Sequence, residues 1–222
     1  MGTKLELVAR DGGSFSVYRA EPSGPARGVV VVVQEIYGVN HHIRSVADGF
    51  ARDGYLALAP GLFDRLERDE ELAYDAAGAA RGGAFPRKLG WDGPLADIQA
   101  TVEAAAPAGR VAVVGYCWGG SLAFRSAARV HGIACAVGYY GGHIVLQLDQ
   151  TPRVPLLLHF GEKDAGIPLS DVEKIRQALP AAEIHTYPAA HGFNCDERQS
   201  YDALSAALAR GRTIDFLRQY LG

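Results

Sequence analysis

The sequence predicts an α/β fold, with a mostly parallel central sheet flanked by helices on both faces, on three observations. Short unbroken apolar runs recur along the chain. Amphipathic helical patterns lie between them. One run leads through Gly-x-Cys-x-Gly directly into a helical pattern. A run that is apolar at every position reads as a strand covered on both faces. Strands alternating with helices imply parallel pairing through crossover connections.

The elements follow in order. Residues 4–8 and 15–19 are amphipathic and are joined by Asp11-Gly12-Gly13, a hairpin signal that adds an antiparallel edge. Residues 29–33 are five valines, the first core strand. Further apolar runs lie at 55–59, 111–114, 134–137 and 156–160, with a more polar one at 183–187. Helical patterns cover 43–52, 95–105, 119–130, 169–179 and 201–220. Residues 66–81, rich in Glu, Arg and Ala, predict one more helix. The segment after it, 82–94, carries Gly, Pro and Trp91 and reads as a loop. Residues 61–94 together are a candidate lid on a single domain spanning 1–222.

Composition excludes several classes. The chain has 222 residues, 48% of them hydrophobic and 21% charged, enough for a core and too apolar for disorder. A net charge of −3 without a basic block gives nucleic acid or an anionic membrane nothing to bind. No segment reaches the roughly 18 apolar residues of a membrane span, and the first ten residues lack the apolar stretch of a secretory signal. Three cysteines, Cys117, Cys135 and Cys195, show neither C-x-x-C nor zinc-ligand spacing. No metal site is expected from them, and an odd count without a disulfide framework points to the cytoplasm.

The chemistry concentrates at Gly115-Tyr116-Cys117-Trp118-Gly119-Gly120. A strand entering Gly-x-Cys-x-Gly and leaving as a helix is the nucleophile elbow of the α/β-hydrolase fold, with cysteine in place of serine. The glycines let neighbouring chain pass close to the turn. The helix N-terminus favours thiolate, the reactive form. The bland alternative is a buried structural cysteine in a chance motif. An elbow needs an acid and then a histidine further along the chain. Asp164 follows the run at 156–160, with Glu162 as the competing acid, and Ser170 is the better placed residue to cap the next helix. His191 follows the last strand, whereas His159 and His185 fall within strands and His131 lies near a helix end. His143 follows Tyr139-Tyr140-Gly141-Gly142 and is a candidate cleft residue, and His41 with His42 is the one adjacent pair, a poor arrangement for sharing a metal. An oxyanion hole requires the N–H of Trp118 and a second N–H from the loop after residues 29–33, where Ile36 is the candidate.

Four segments, Gln34-Glu35-Ile36-Tyr37-Gly38-Val39-Asn40, the Cys117 elbow, Val137-Gly138-Tyr139-Tyr140-Gly141 and Ala190-His191-Gly192-Phe193, resemble signatures of the dienelactone hydrolase family, in that family's order. The resemblance spans essentially the whole chain. It implies a Cys117–His191–Asp164 triad, no cofactor, and a small-molecule lactone or ester substrate; separately, a monomer is expected. It also implies that Glu35 pairs with the resting Cys117 thiol and restrains it, as a nearby carboxylate opposes thiolate formation. The departure lies in the substrate clamp. The resemblance implies two arginines that grip a substrate carboxylate, but Cys195 stands in one place and the acidic stretch Glu70-Glu71 in the other, while Tyr74 is retained. Arg198 and Arg81 are the possible replacements, with Phe193 beside the histidine. Arg81, seven residues after Tyr74, shares its face only if the helix at 66–81 continues past Gly78.

Read as solvated surface residues, Arg81 and Arg198 leave no anion clamp. Carboxylated lactones are then preferred over neutral ones by under roughly tenfold in kcat/KM, about 1.4 kcal/mol. Competing functions are an esterase or lactonase for neutral substrates, a non-catalytic ligand-binding α/β-hydrolase fold, and a thiol redox protein using Cys117 and Cys195.

Overall fold

The computed structural model describes residues 2–222, so Met1 of the N-terminal stretch lies outside the described residues. Eight strands form one sheet in the order β1-β2-β4-β3-β5-β6-β7-β8. They are β1 (Thr3–Val8), β2 (Ser14–Ala20), β3 (Val29–Val33), β4 (Leu56–Pro60), β5 (Val111–Tyr116), β6 (Ile133–Tyr139), β7 (Leu156–Gly161) and β8 (Glu183–Tyr187). The β1–β2 and β2–β4 pairs are antiparallel and every other pair is parallel. The hairpin edge and the parallel centre are those the patterning predicts.

β3 shows why a strand of five valines is stable only at the centre. Every residue in it is fully buried, with Val30 and Val32 in one core and Val29, Val31 and Val33 in the other. Each contributes roughly 1.5–3 kcal/mol by leaving water. Ile43, Ala47 and Phe50 of α1 (His41–Arg52) and Ala209 and Leu217 of α7 (Ala203–Leu221) cover the first face. Leu95, Ile98 and Val102 of α4 (Asp92–Ala105), with Leu122 and Ala123 of α5 (Trp118–Arg129), cover the second. Among the described residues no helix is long and apolar enough to cross a membrane.

The expected helix at 66–81 does not form. A 3-10 turn at Leu62–Arg65 gives way to irregular chain, and helix begins only at α2 (Ala76–Gly82). The local propensity of Glu, Arg and Ala is outweighed by side chains that compete for the backbone. The Asp64 carboxylate accepts the N–H groups of Ser16 at 2.7 Å and Asp69 at 3.0 Å. Asp69 takes φ 57°, and Leu72 N–H is drawn to Tyr37 O at 3.0 Å. Asp75 then starts α2 by accepting from Gly78 N–H at 2.7 Å. The expected loop at 82–94 is largely helical, with α3 (Ala84–Leu89) followed by α4 from Asp92. Pro86 and Pro94 sit in the first turns of these helices, where a missing N–H costs nothing. Ser170 does not cap α6 (Leu169–Ala178), whose N-cap position is Pro168 without a side-chain bond.

Candidate active site

The site gathers at the carboxyl ends of the parallel strands. Cys117 lies between β5 and α5 with φ 55° and ψ −116°. A non-glycine residue in this region carries strain of roughly 1–3 kcal/mol. The surrounding packing holds it there. A Cβ on Gly115 would stand 1.9 Å from Gly119 O, and one on Gly119 would stand 2.4 Å from Val33 O and Gln34 O. Larger residues would push the turn off the sheet. Cys117 N–H donates to Tyr139 O at 3.0 Å, which fastens the turn to β6. The half-buried thiol therefore sits at the N-terminus of a twelve-residue helix.

His191 follows β8 and brings Nε2 to 3.2 Å from Cys117 Sγ. Its Nδ1 lies 2.6 Å from Asp164 Oδ2. Asp164 follows β7, is almost fully buried, and is oriented by Gly166 N–H donating to Oδ1 at 2.9 Å. Glu162, the competing acid, is exposed and accepts from Thr186 Oγ1 at 3.0 Å instead. Burial alone would lower the His191 pKa. The Cys117 sulfur and the Asp164 carboxylate outweigh burial and raise it to about 10. Nε2 and the sulfur, 3.2 Å apart, are close enough to exchange a proton directly.

Trp118 is the first residue of α5, so its N–H has no acceptor within the helix. Ile36 stands half-buried in the loop after β3. Gln34 holds that loop by accepting from Leu62 N–H at 3.1 Å. Glu35 is fully buried, but its contacts differ from those the resemblance implies. Its carboxylate accepts from the Tyr74 hydroxyl at 2.8 Å and from the Arg198 guanidinium at 3.2 Å, rather than from Cys117.

Arg198 and Arg81 part company. Arg81 lies on the surface and pairs with Glu67 and Glu70, so it neither shares a face with Tyr74 nor reaches the site. Arg198 turns inward. Its guanidinium lies over the rings of Tyr37 and Tyr74 at 5.8 and 5.7 Å. It also packs so closely on Gly192 that a Cβ there would stand 2.4 Å from it. The backbone explains this. After Phe193 the chain folds through consecutive turns, with Cys195 N–H bonded to Gly192 O and Arg198 N–H to Cys195 O. Phe193 is fully buried against Tyr139, Tyr140 and Tyr187, so it is a packing residue and not a cleft contact. Tyr140, fully buried with φ 37°, packs edge-on against the His191 ring with centroids 5.0 Å apart. No periodicity marks that contact in the sequence.

A parallel-centred sheet with a cysteine at the strand–helix elbow, and with the histidine and aspartate on later strand ends, defines an α/β-hydrolase fold. The dienelactone hydrolase family profile matches residues 15–221, and the chain belongs to that family. The carboxymethylenebutenolidase of Pseudomonas putida is 33% identical, over 96% of this chain and 94% of that one. Carboxymethylenebutenolidase 1 of Cupriavidus pinatubonensis is 30% identical over 96% and 95%. The crystal structure of a Klebsiella pneumoniae protein described as a dienelactone hydrolase superposes with a TM-score of 0.84 at 33% identity, covering 99% of this chain and all of that one. A Pyrococcus furiosus esterase at 17% identity and a TM-score of 0.73 shares the fold.

Proposed function

We propose that the protein is a cysteine-dependent carboxylic ester hydrolase that opens a small lactone or ester through a thioester on Cys117. The observation that carries this reading is the continuous contact chain from Cys117 Sγ to His191 to Asp164. The Cys117 thiolate attacks the carbonyl carbon, and the carbonyl electron pair moves onto oxygen between the N–H groups of Ile36 and Trp118. Collapse of the tetrahedral intermediate expels the ring oxygen. An enolate leaves as the anion and then takes the His191 imidazolium proton, while a poorer leaving group takes that proton as it departs. His191, now neutral, removes a proton from water, and the resulting hydroxide attacks the thioester and releases Cys117 as thiolate. Asp164 keeps the imidazole in the correct orientation throughout. These steps call for no cofactor.

The substrate side rests on Arg198. It offers a cation beside the histidine loop, in line with the carboxylated lactone that the relatives' names describe. Glu35 offsets that charge, and this favours a second reading within the same family, an esterase or lactonase that also accepts neutral substrates. A thiol redox role has less support. The Cys195 thiol pKa is pushed up to about 12, first by burial and then by Glu35, which makes it a poor partner for exchange. The free thiols fit a reducing, cytoplasmic setting.

The test compares two cysteine variants against a chromogenic ester. Cys117→Ala loses turnover by at least roughly a thousandfold, as expected for removal of a nucleophile. Cys135→Ala, altered at a fully buried position of β6, keeps the parent kcat at temperatures where it remains folded. Equal activity of Cys117→Ala and the parent would remove the basis of the proposal.

A further inference from the structure

Glu35, His42 and Cys195 come together from three separate places: the loop after β3, the first turn of α1, and the turns that follow His191. All three are buried, and one ligand-type atom from each lies within 4.8 Å of the other two. The atoms are a carboxylate oxygen, an imidazole nitrogen and a sulfur, a donor set suited to a borderline-soft divalent cation such as zinc.

His42 supplies the observation that points to a ligand. Its side chain is 3% exposed. Nδ1 is held 3.2 Å from Asp196 Oδ1, the carboxylate–histidine pairing that orients an imidazole for metal binding. That leaves Nε2, which is enclosed and has no hydrogen-bond partner. An unsatisfied buried nitrogen is costly unless something occupies its lone pair or takes its proton. Helix capping explains how the ring is aimed. Asn40 starts α1 by accepting from Ile43 N–H at 3.2 Å, which turns His41 outward to Glu197 and His42 inward. A surface cleft of about 270 Å³ reaches His42 and its partner Asp196, while Glu35 and Cys195 lie behind them.

We propose that Glu35, His42 and Cys195 form a zinc-binding site, with His42 Nε2, Cys195 Sγ and a Glu35 carboxylate oxygen as ligands and a water in the fourth position. Tetrahedral zinc places such ligand atoms roughly 3.3–3.8 Å apart, so the three side chains close in by about 1 Å. Binding converts Cys195 S–H to a sulfur–zinc bond and releases one proton to solvent. Glu35 is shared with the hydrolytic site. Zinc competes with Tyr74 and Arg198 for its carboxylate, so metal loading alters the environment of Arg198 without touching Cys117.

Cobalt(II) is the probe, because a cobalt–thiolate bond gives a near-ultraviolet charge-transfer band. The titration uses Cys117→Ser protein, which cannot bind cobalt through Cys117 and His191. It should show one cobalt per chain with the sulfur band, displaced by zinc. Adding Cys195→Ser removes the band, and adding His42→Gln weakens cobalt binding by roughly a hundredfold. Asp196→Asn, at an exposed side chain that does not threaten the fold, weakens it by roughly tenfold. Absence of the sulfur band in Cys117→Ser protein, or its persistence after Cys195→Ser, would overturn the proposal.

Discussion

Arg198 is the residue whose place in the site is hardest to see in the sequence. Counting along the chain puts Cys195 where the resemblance implies an arginine, and it leaves Arg198 looking like a surface residue. Two turns after Gly192 fold the backbone back, and the guanidinium ends over Tyr37 and Tyr74 against Glu35. The expectation of weak anion selectivity, which rested on both arginines being solvated, changes accordingly. Carboxylated lactones should be preferred over neutral ones by more than about tenfold, and Arg198→Gln should bring that ratio close to one by lowering kcat/KM for the carboxylated substrate alone. Paired kinetics on the two lactones decide this, and a ratio unmoved by the substitution would exclude Arg198 as the anchor. Glu35 is the second case. Its negative charge is spent on Arg198 and Tyr74, so its influence on the thiol is exerted through Arg198. Glu35→Gln leaves Arg198 uncompensated near Cys117. The iodoacetamide labelling rate of Cys117 at acid pH should then rise severalfold and its pH profile move to lower pH. An identical profile for parent and variant would remove any restraining role.

Among the elements, the strands and the long helices were legible because burial on both faces, or on one stripe, leaves a period in the sequence. The segment at 61–94 was not, because its conformation is set from outside. Arg65, for instance, joins Asp11 at 2.8 Å to fully buried Asp97 at 2.8 Å, and nothing local signals that clamp. The β7–β8–α7 contact is also written in tertiary terms. His159 of β7 lies within 2.8 Å of the Tyr187 hydroxyl and 3.1 Å of Thr213 Oγ1, which in turn meets the Tyr139 hydroxyl at 2.6 Å. Burial, and then the charges of His185 and Arg212, hold its pKa well below the usual histidine value. The unfolded chain therefore takes up a proton here that the folded chain refuses. The stability contributed by neutral His159 is complete above about pH 6.5 and is lost as pH falls below it. His159→Gln should cost about 1–3 kcal/mol at neutral pH through the broken network. It should also flatten the decline of stability between about pH 6.5 and 5. Urea unfolding at several pH values measures both, and a variant that declines as steeply as the parent would show that His159 is not the titrating group.

For the whole molecule, the order of strands explains why residues so far apart in sequence meet. β3, β5, β7 and β8 run parallel, so the loops at their carboxyl ends open on one edge of the sheet. Those loops carry Glu35 and Ile36, Cys117, Asp164 and His191 in turn. The succession of Cys117, Asp164 and His191, which meet in space, was readable from one sequence because each residue follows a recognisable strand. The Glu35, His42 and Cys195 cluster was not readable, because His42 belongs to the helix after β3 while Cys195 lies beyond the last strand, and no short spacing links them. The central claim is that hydrolysis passes through a thioester on Cys117. Rapid mixing with an activated ester, acid quench and peptide mass spectrometry test it directly, with His191→Gln used to slow deacylation. One acyl group on the peptide containing Cys117, removable by hydroxylamine and absent in Cys117→Ala, is the predicted result. Turnover without any adduct on Cys117, or an acyl group found on a different residue, would contradict the account.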